Sequence, residues 1–114
     1  MFPSNQIKAP NNLELHYGNV SEFSIEALID LLSPLEYQKA ESFRKEEDRC
    51  LFIVSRAILK LILAKKLEQS VDSIELKYEV NGKPYLDNKS EFDIQFNLSH
   101  AGNTFLIGIT NGAD

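Results

Sequence analysis

The residues best suited to chemistry lie near the end of the sequence, where FNLSHAG (96–102) places a histidine directly after a serine. Consecutive side chains of an extended strand point to opposite faces, so Ser99 and His100 cannot form a nucleophile–base pair with each other. A serine hydrolase would also need a glycine-framed turn around its serine, which LSHAG lacks. We therefore expect no hydrolysis, and interpret the Ser99 hydroxyl, the His100 imidazole and the next two backbone N–H groups as donors for phosphate oxygens. A capped turn with a hydrogen-bonded histidine is the structural alternative.

Cationic residues cluster on one predicted helix. The segment 39–66 carries eight of the twelve Lys and Arg residues, in a chain whose formal net charge is -5. At 100° per residue, Arg49 and Arg56 lie about 20° apart on the helix surface, with Lys60 and Lys45 within about 40° of Arg49. Arginines on such a stripe can bind a phosphate bidentately beside apolar surface. A solvated helix face whose side-chain stems cover the core is the structural alternative.

A stiffened turn, VNGKPYL (80–86), lies between these two features in the sequence. Gly82 permits a positive φ, and Pro84 fixes φ and has no backbone N–H, so Lys83 is held on a loop with little conformational freedom. Such a loop suits an anion or an aromatic base. An ordinary hairpin turn with a solvated lysine explains the same residues without a ligand.

The composition excludes several classes of function. The only cysteine, Cys50, allows no internal disulfide and no cysteine-based zinc site. The net negative charge argues against nucleic-acid binding, whereas the local cationic segment suits a small anionic ligand. The most apolar run, 51–63, is interrupted by Ser55, Arg56 and Lys60, which argues against a membrane span. The N-terminus shows no signal-peptide pattern, so we expect a cytoplasmic protein.

The periodicity predicts one α+β domain over residues 1–114, with a long helix packed on a small antiparallel sheet. The predicted elements are an extended arm at 1–12, a strand at 13–20, a helix at 24–32, a capped helix start at 33–36, a long helix at 46–68, and strands at 73–80, 83–86, 92–100 and 104–110. Strand 13–20 is expected to bury Leu13, Leu15 and Tyr17. The later strands are expected to form a meander that leaves 104–110 as an apolar edge, so we expect a covering segment beyond Asp114.

The order of these motifs resembles that of the Sfp-type (surfactin-synthetase-activating) 4'-phosphopantetheinyl transferases. The resemblance rests on a basic R…FIVSR helix, then NGKPYL, then FNLSHAG, and it covers residues 30–110. Enzymes of this family move the phosphopantetheine arm of coenzyme A onto a serine of a carrier protein. The resemblance therefore implies coenzyme A as the ligand.

The resemblance also implies which residues contact coenzyme A. Those nearest the adenine ring and the 3'-phosphate are Gly82, Lys83 and Pro84, with Lys83 as the direct anionic contact. Ser99 and His100 would hold the phosphates, His100 chiefly the pyrophosphate. The helix would contribute Arg49 and, as a secondary contact, Arg56 to the 3'-phosphate, with Lys45 as an additional contact.

Family members of this type consist of two similar lobes joined as a pseudo-dimer, with coenzyme A in the cleft between them. Their Mg²⁺ is held by an acidic GVDxE-like strand that follows the SH strand, and further catalytic residues come from a WxxKE helix. This sequence has neither motif and no tryptophan, and Asp114 belongs to a turn. The resemblance thus implies the N-terminal lobe, with the C-terminal lobe absent, no catalytic or metal residue within this chain, and little or no catalysis by it alone.

The resemblance implies an acyl or peptidyl carrier protein as partner, Mg²⁺ in the complete enzyme only, and contact with the missing lobe or a second copy of this chain. The small homotrimeric holo-carrier-protein synthases carry their acidic motif near the N-terminus, where this sequence has nothing comparable. Two other interpretations stay open. One is a non-catalytic coenzyme A or nucleotide binding module that docks to a partner through its final strand, and the other is a structural helix–sheet interaction domain.

Overall fold

The computed structural model describes residues 5–8, 13–86 and 94–111, with the backbone alone for residues 5–8 and 111. The strands in this part of the chain are β1 (Asn5–Lys8), β2 (Leu13–Asn19), β3 (Leu76–Tyr78), β4 (Pro84–Leu86), β5 (Ile94–Ala101) and β6 (Thr104–Asn111). The helices are α1 (Ile25–Leu28), α2 (Pro34–Glu41) and α3 (Glu46–Leu67), with short 3-10 turns at Val20–Glu22, Ile29–Leu31 and Val71–Ser73. The predicted α+β class is confirmed.

Helix α3 is the long helix that the sequence predicts, and it forms the centre of the core. Acidic residues occupy its first turn and Lys65 and Lys66 its last, which complements the helix dipole at both ends. Its buried side chains, including Ile58 and Leu63, share one hydrophobic cluster with Phe105 and Ile107 of β6. None of the helices in the described residues is long and apolar enough to cross a membrane.

The main sheet is antiparallel and has the strand order β1-β2-β6-β5. Strand β6 therefore lies inside the sheet between β2 and β5, and the prediction that 104–110 forms an exposed apolar edge is wrong. Its second neighbour, β2, comes from the opposite end of the described chain, a long-range pairing that no local pattern shows. The binding-module interpretation needs an exposed final strand for docking. This topology does not provide one, because β6 is paired on both sides.

The second sheet is the separate β3–β4 hairpin, so the predicted continuous meander is also wrong. The Asn81–Gly82 turn forms as predicted, but β3 ends at Tyr78 and Val80 is fully exposed. Strand β5 begins at Ile94 in the described residues. The predicted start of that strand at Phe92 lies outside them, as do Asp114 and most of the predicted arm at 1–12.

Strand β2 buries the face opposite to the one predicted. His16 and Gly18 are buried, whereas Tyr17 is 38% exposed. The reason is the ring of Phe105, because a Cβ added at Gly18 would lie only 3.0 Å from the Phe105 Cζ atom. The Phe105 ring on β6 thus fills the space that a side chain at position 18 would need, and Leu13, Leu15 and Tyr17 lie on the opposite face of β2.

The helical segments before α3 are shorter than the periodicity predicts. Ser24 caps α1 as expected, but the helix predicted over 24–32 changes to a 3-10 turn at Ile29–Leu31. The 3-10 turn ends at Leu32, whose backbone is extended, and Ser33 then caps α2. The predicted capping box is confirmed: the Ser33 Oγ accepts from the Glu36 N–H at 3.2 Å, and Glu36 Oε1 accepts from the Ser33 N–H at 2.9 Å.

Candidate functional site

A pocket of about 530 Å³ lies where α2, α3, the β3–β4 turn and the end of β5 meet. Sequence motifs that are far apart in the chain contribute to its wall. Its lining includes Lys39, Phe43, Phe52, Arg56, Tyr78, Asn81, Gly82 and His100. The helix, the NG turn and the SH strand of the sequence pattern therefore converge on one cavity.

Ser99 and His100 of β5 lie on opposite faces of the sheet. His100 stands opposite Phe105 of β6, whose side chain is in the core, and it lines the pocket. Ser99 stands opposite Leu106, which is 39% exposed, and it is not among the lining residues. Ser99 and His100 therefore do not form a pair, as predicted. Because consecutive side chains of a strand point to opposite faces, only His100 reaches the pocket. The backbone donor expected at Ala101 belongs to the strand ladder, where Ala101 pairs with Thr104.

The NG turn is fixed by its own hydrogen bonds. The Gly82 N–H donates to the Glu79 carbonyl at 2.8 Å, and the Glu79 N–H donates to the Lys83 carbonyl at 2.9 Å. Gly82 has φ of 91°, a left-handed conformation that favours glycine. This geometry places Asn81 and Gly82 in the pocket wall.

Two other residues predicted for the turn do not reach the pocket wall. Lys83 is exposed next to Gly82, and Pro84 is buried opposite Tyr78 at the start of β4. Neither lines the pocket.

Arg56 is held by aromatic rings. Its Cζ atom lies 4.6 Å from the ring centroid of Phe52 and 5.7 Å from that of Tyr78. The Arg56 Nε is buried without a hydrogen-bond partner, and no carboxylate in the described part of the chain pairs with this guanidinium. The charge of Arg56 is therefore available to an anion in the pocket, in surroundings partly shielded from water.

Lys39 is a second pocket cation, and the sequence reasoning did not select it. Its Nζ lies 5.3 Å from the Phe43 ring centroid, and the Phe43 and Phe52 rings are 5.6 Å apart. Within the described residues no carboxylate forms an ion pair with Lys39. The signal that could have identified it is the Lys39–Phe43 spacing of four residues, which brings a cation on the last turn of α2 close to an aromatic ring just past the end of that helix.

The remaining predicted helix cations lie elsewhere. Arg49 donates to Glu41 Oε2 at 2.9 Å and to Glu46 Oε2 at 3.2 Å, and it does not line the pocket. Lys45 is exposed at the N-cap position of α3, also outside the pocket lining. The roles assigned to these two residues stay predictions, and the geometry does not add support to them.

The sequence predicts four cations on one helix stripe that are available to a ligand, and this prediction is wrong for Lys60. This lysine is 4% exposed, and its Nζ lies 2.7 Å from Glu36 Oε1 and 3.1 Å from the Leu31 carbonyl. A buried ammonium needs a charged partner, and α2 supplies one that the spacing along α3 could not indicate. The charge of Lys60 is therefore neutralised inside the protein.

Glu36 connects this ion pair to the pocket. Its second oxygen, Oε2, accepts a hydrogen bond of 2.7 Å from the Tyr78 hydroxyl. Burial alone would raise the pKa of Glu36, but hydrogen bonds from Lys60, the Ser33 N–H and Tyr78 hold it below the ordinary value. Burial, and then the nearby Glu36 charge, raise the pKa of Tyr78, so both groups keep their ordinary charge states near neutrality.

The site as a whole suits a ligand with both an anionic and an aromatic part. Lys39 and Arg56 supply positive charge, Phe43 and Phe52 supply apolar ring surface, and His100 supplies an imidazole. Asp48 and Glu36 also line the pocket, but Glu36 is already paired with Lys60. In the described residues no group of three His, Cys, Asp or Glu side chains is placed to hold a metal ion.

A family model described as 4'-phosphopantetheinyl transferase, N-terminal, matches residues 19–110. The chain belongs to the 4'-phosphopantetheinyl transferase family. The matched segment includes every pocket residue discussed above, from Glu36 on α2 to His100 on β5.

Two curated relatives are similar over most of this chain. The 4'-phosphopantetheinyl transferase HetI of Nostoc sp. is 35% identical over 89 residues, which cover 77% of this chain and 38% of the relative. The phosphopantetheinyl transferase of Thraustochytrium sp. is 32% identical over 72 residues, which cover 63% of this chain and 25% of the relative. The chain thus spans between a quarter and two-fifths of the length of the curated relatives it matches.

A solved structure shares the fold. It is the crystal structure of a holo-(acyl-carrier-protein) synthase from Bacillus anthracis in complex with CoA (3',5'-ADP), and it superposes with a TM-score of 0.65. The match covers 87% of this chain and 93% of that chain at 20% sequence identity. The helix on antiparallel sheets is therefore an arrangement that this synthase also has.

Proposed function

We propose that this chain binds coenzyme A as the N-terminal lobe of an Sfp-type 4'-phosphopantetheinyl transferase. The observation that carries the proposal is the convergence of Arg56, the Gly82 turn and His100 on one pocket. The resemblance to the Sfp-type family implies a coenzyme A contact for all three. The family match and the bound ligand named for the Bacillus anthracis synthase support the same ligand.

In this proposal different residues of the pocket contact different parts of coenzyme A. The apolar rings beside Lys39 and Arg56 take the adenosine part, and the two cations take its 3'-phosphate. His100 faces the pyrophosphate, and Lys83, exposed next to Gly82 and outside the pocket lining, adds positive charge at the 3'-phosphate end. Lys39, Arg56 and Lys83 offset the negative charge of 3',5'-ADP, the leaving group, so this lobe contributes electrostatic stabilisation to the transfer.

The reaction of the complete enzyme is phosphopantetheine transfer to a carrier protein. The hydroxyl of a carrier serine loses its proton to a carboxylate or water, its oxygen forms a bond to the phosphorus that carries the pantetheine arm, the pyrophosphate bond breaks, and 3',5'-ADP leaves. Mg²⁺ is expected in the complete enzyme, but the described residues of this chain do not fit a magnesium site. We therefore expect little or no transfer when residues 1–114 alone are mixed with coenzyme A, Mg²⁺ and an apo carrier protein, and mass spectrometry of the carrier tests this.

Calorimetric titration of coenzyme A tests the binding proposal. His100→Ala and Lys83→Ala should each weaken binding, by about threefold to tenfold, because each removes one polar or charged contact to phosphate. Lys77→Ala is the matched lysine control and should leave the affinity unchanged, since Lys77 lies on β3 beside Glu75, whereas Lys83 directly follows the lining residue Gly82.

The outcomes separate the proposal from its alternatives. Unchanged affinity in both His100→Ala and Lys83→Ala would contradict it and favour a structural helix–sheet domain. Ser99→Ala adds a finer test: an affinity loss as large as that of His100→Ala would show that the serine contacts the ligand in spite of its place on the other sheet face.

A further inference from the structure

We propose that Tyr78 is a positioning residue, anchored by the buried Glu36–Lys60 pair, that holds the Arg56 guanidinium at the pocket. The proposal rests on the coenzyme A site described above. Tyr78 contacts both partners at once: its hydroxyl donates to Glu36 at 2.7 Å, and its ring centroid lies 5.7 Å from the Arg56 Cζ. A single side chain thus joins a buried acid to the available pocket arginine.

The anchor of Tyr78 is rigid because every oxygen of the Glu36 carboxylate is occupied. Oε1 is contacted by Lys60 and by the Ser33 N–H, and Oε2 accepts from Tyr78. Glu36 and Lys60 are 3% and 4% exposed, so water does not compete for these bonds. The Tyr78 hydroxyl therefore has one fixed acceptor, and the ring can turn little about it.

Arg56 depends on such support more than a paired arginine does. It has no ion pair with a carboxylate of the described residues, and apart from a long 3.5 Å contact from its Nη1 to the Ser55 Oγ, the Phe52 and Tyr78 rings limit the rotamers of its side chain. An arginine that is ordered before binding loses less rotamer freedom when it contacts a phosphate. Tyr78 can therefore raise coenzyme A affinity through Arg56 while its hydroxyl is occupied by Glu36.

A purely structural role predicts something different. If Tyr78 only ties β3 to α2, its loss should reduce affinity by the same factor whether or not Arg56 is present. If it acts through Arg56, the two losses should not multiply, because the second substitution removes an interaction that the first has already disrupted.

The test is a calorimetric double-mutant cycle with coenzyme A as the probe, on Tyr78→Leu, Arg56→Gln and the double variant. We expect Tyr78→Leu to weaken binding about threefold to tenfold in the parent and by less than about twofold in the Arg56→Gln background. Equal losses in both backgrounds would overturn the proposal. Tyr85→Leu is the matched control, since Tyr85 is an exposed tyrosine on β4 and does not line the pocket.

A measurement without ligand separates this proposal from the proposed function. The Arg56 Nε–H is buried, so it should give an NMR resonance with a heteronuclear NOE close to that of the ordered backbone. The NOE should fall in Tyr78→Leu and persist in Tyr85→Leu, whether or not coenzyme A binds. Tyr78→Phe keeps the ring and loses the bond to Glu36, and it should give an intermediate value if the leucine variant does not fold. An Arg56 side chain that is equally ordered in Tyr78→Phe and the parent, or mobile in the parent, would overturn the positioning role.

Discussion

Arg49 and Arg56 lie two turns apart on the same helix, and their surroundings differ completely. Arg49 forms ion pairs with Glu41 and Glu46, whereas Arg56 packs on Phe52 and Tyr78 and lines the pocket. Their angular spacing along α3 predicts one shared stripe, and the family resemblance implies Arg49 as the first phosphate contact and Arg56 as the secondary one. The comparison teaches that residues supplied by other elements decide which cation can bind a ligand, since acids neutralise one arginine and aromatic rings leave the other available.

The largest effect is expected on stability, from substitution of Lys60, whose ion pair with Glu36 anchors Tyr78 beside Arg56. Lys60→Met should leave the buried Glu36 carboxylate without its cation and lower the free energy of unfolding by about 3–5 kcal/mol. Urea denaturation measures this loss. Lys66→Met is the control on the same helix, because Lys66 pairs with Glu14 in a more exposed position, and it should cost less than about 1 kcal/mol.

A second outcome of that experiment sharpens the interpretation. Adding Glu36→Gln to Lys60→Met removes both charges and should recover part of the lost stability. If Lys60→Met alone costs no more than Lys66→Met, the ion pair does not support this side of the pocket, and the distinction between the two arginines loses its structural basis.

The arginines themselves give the next effect. Arg56→Gln should weaken coenzyme A binding by about tenfold or more, because it removes a charge-assisted contact in a partly shielded site. Arg49→Gln should change the affinity by less than about twofold, since its guanidinium is already engaged by two carboxylates. Calorimetric titration of both variants decides the comparison, and a larger loss for Arg49→Gln would reverse it.

Acid sensitivity should follow the Glu36 network. Although burial alone would raise the pKa of Glu36, its hydrogen bonds hold that pKa below the ordinary value. Such a group stabilises the folded state above its unfolded pKa, and this contribution is lost as the pH falls through the folded pKa. The free energy of unfolding should therefore decline as the pH falls below about 4.3, the ordinary glutamate value. Urea denaturation across this range should show a shallower decline for Glu36→Gln, and an identical decline would contradict the role of this group.

The smallest effect is expected for the stability contribution of Arg49. Its pairs with Glu41 and Glu46 are largely on the surface, so Arg49→Gln should lower the free energy of unfolding by less than about 1 kcal/mol. The loss should shrink in high salt, which screens exposed charges. A larger loss that salt leaves unchanged would show that these pairs are part of the core structure.

Local chemistry allowed much of the fold to be predicted. The Ser33 capping box, the length of α3 and the Asn81–Gly82 turn depend on residues a few positions apart, and all three form as expected. The convergence of Arg56, Gly82 and His100 could also be expected, but only through the order of motifs that a known family shares.

The missed features depend on contacts between distant segments. The pairing of β6 with β2, the burial of His16 and the neutralisation of Lys60 by Glu36 each join elements that are separate in the chain. Periodicity states which residues share a face but not which element covers it. Lys39 was overlooked for a related reason, since its value to the site comes from α3 and β5 closing the pocket around it.

The most direct test is an NMR titration of the isotope-labelled chain with coenzyme A, followed through the backbone amides. Saturable shift changes should concentrate at Arg56, Gly82 and His100, with little change at Arg49. Saturable changes centred on the outer sheet face at Tyr17, or the absence of any saturable change, would contradict the assignment of this pocket to coenzyme A.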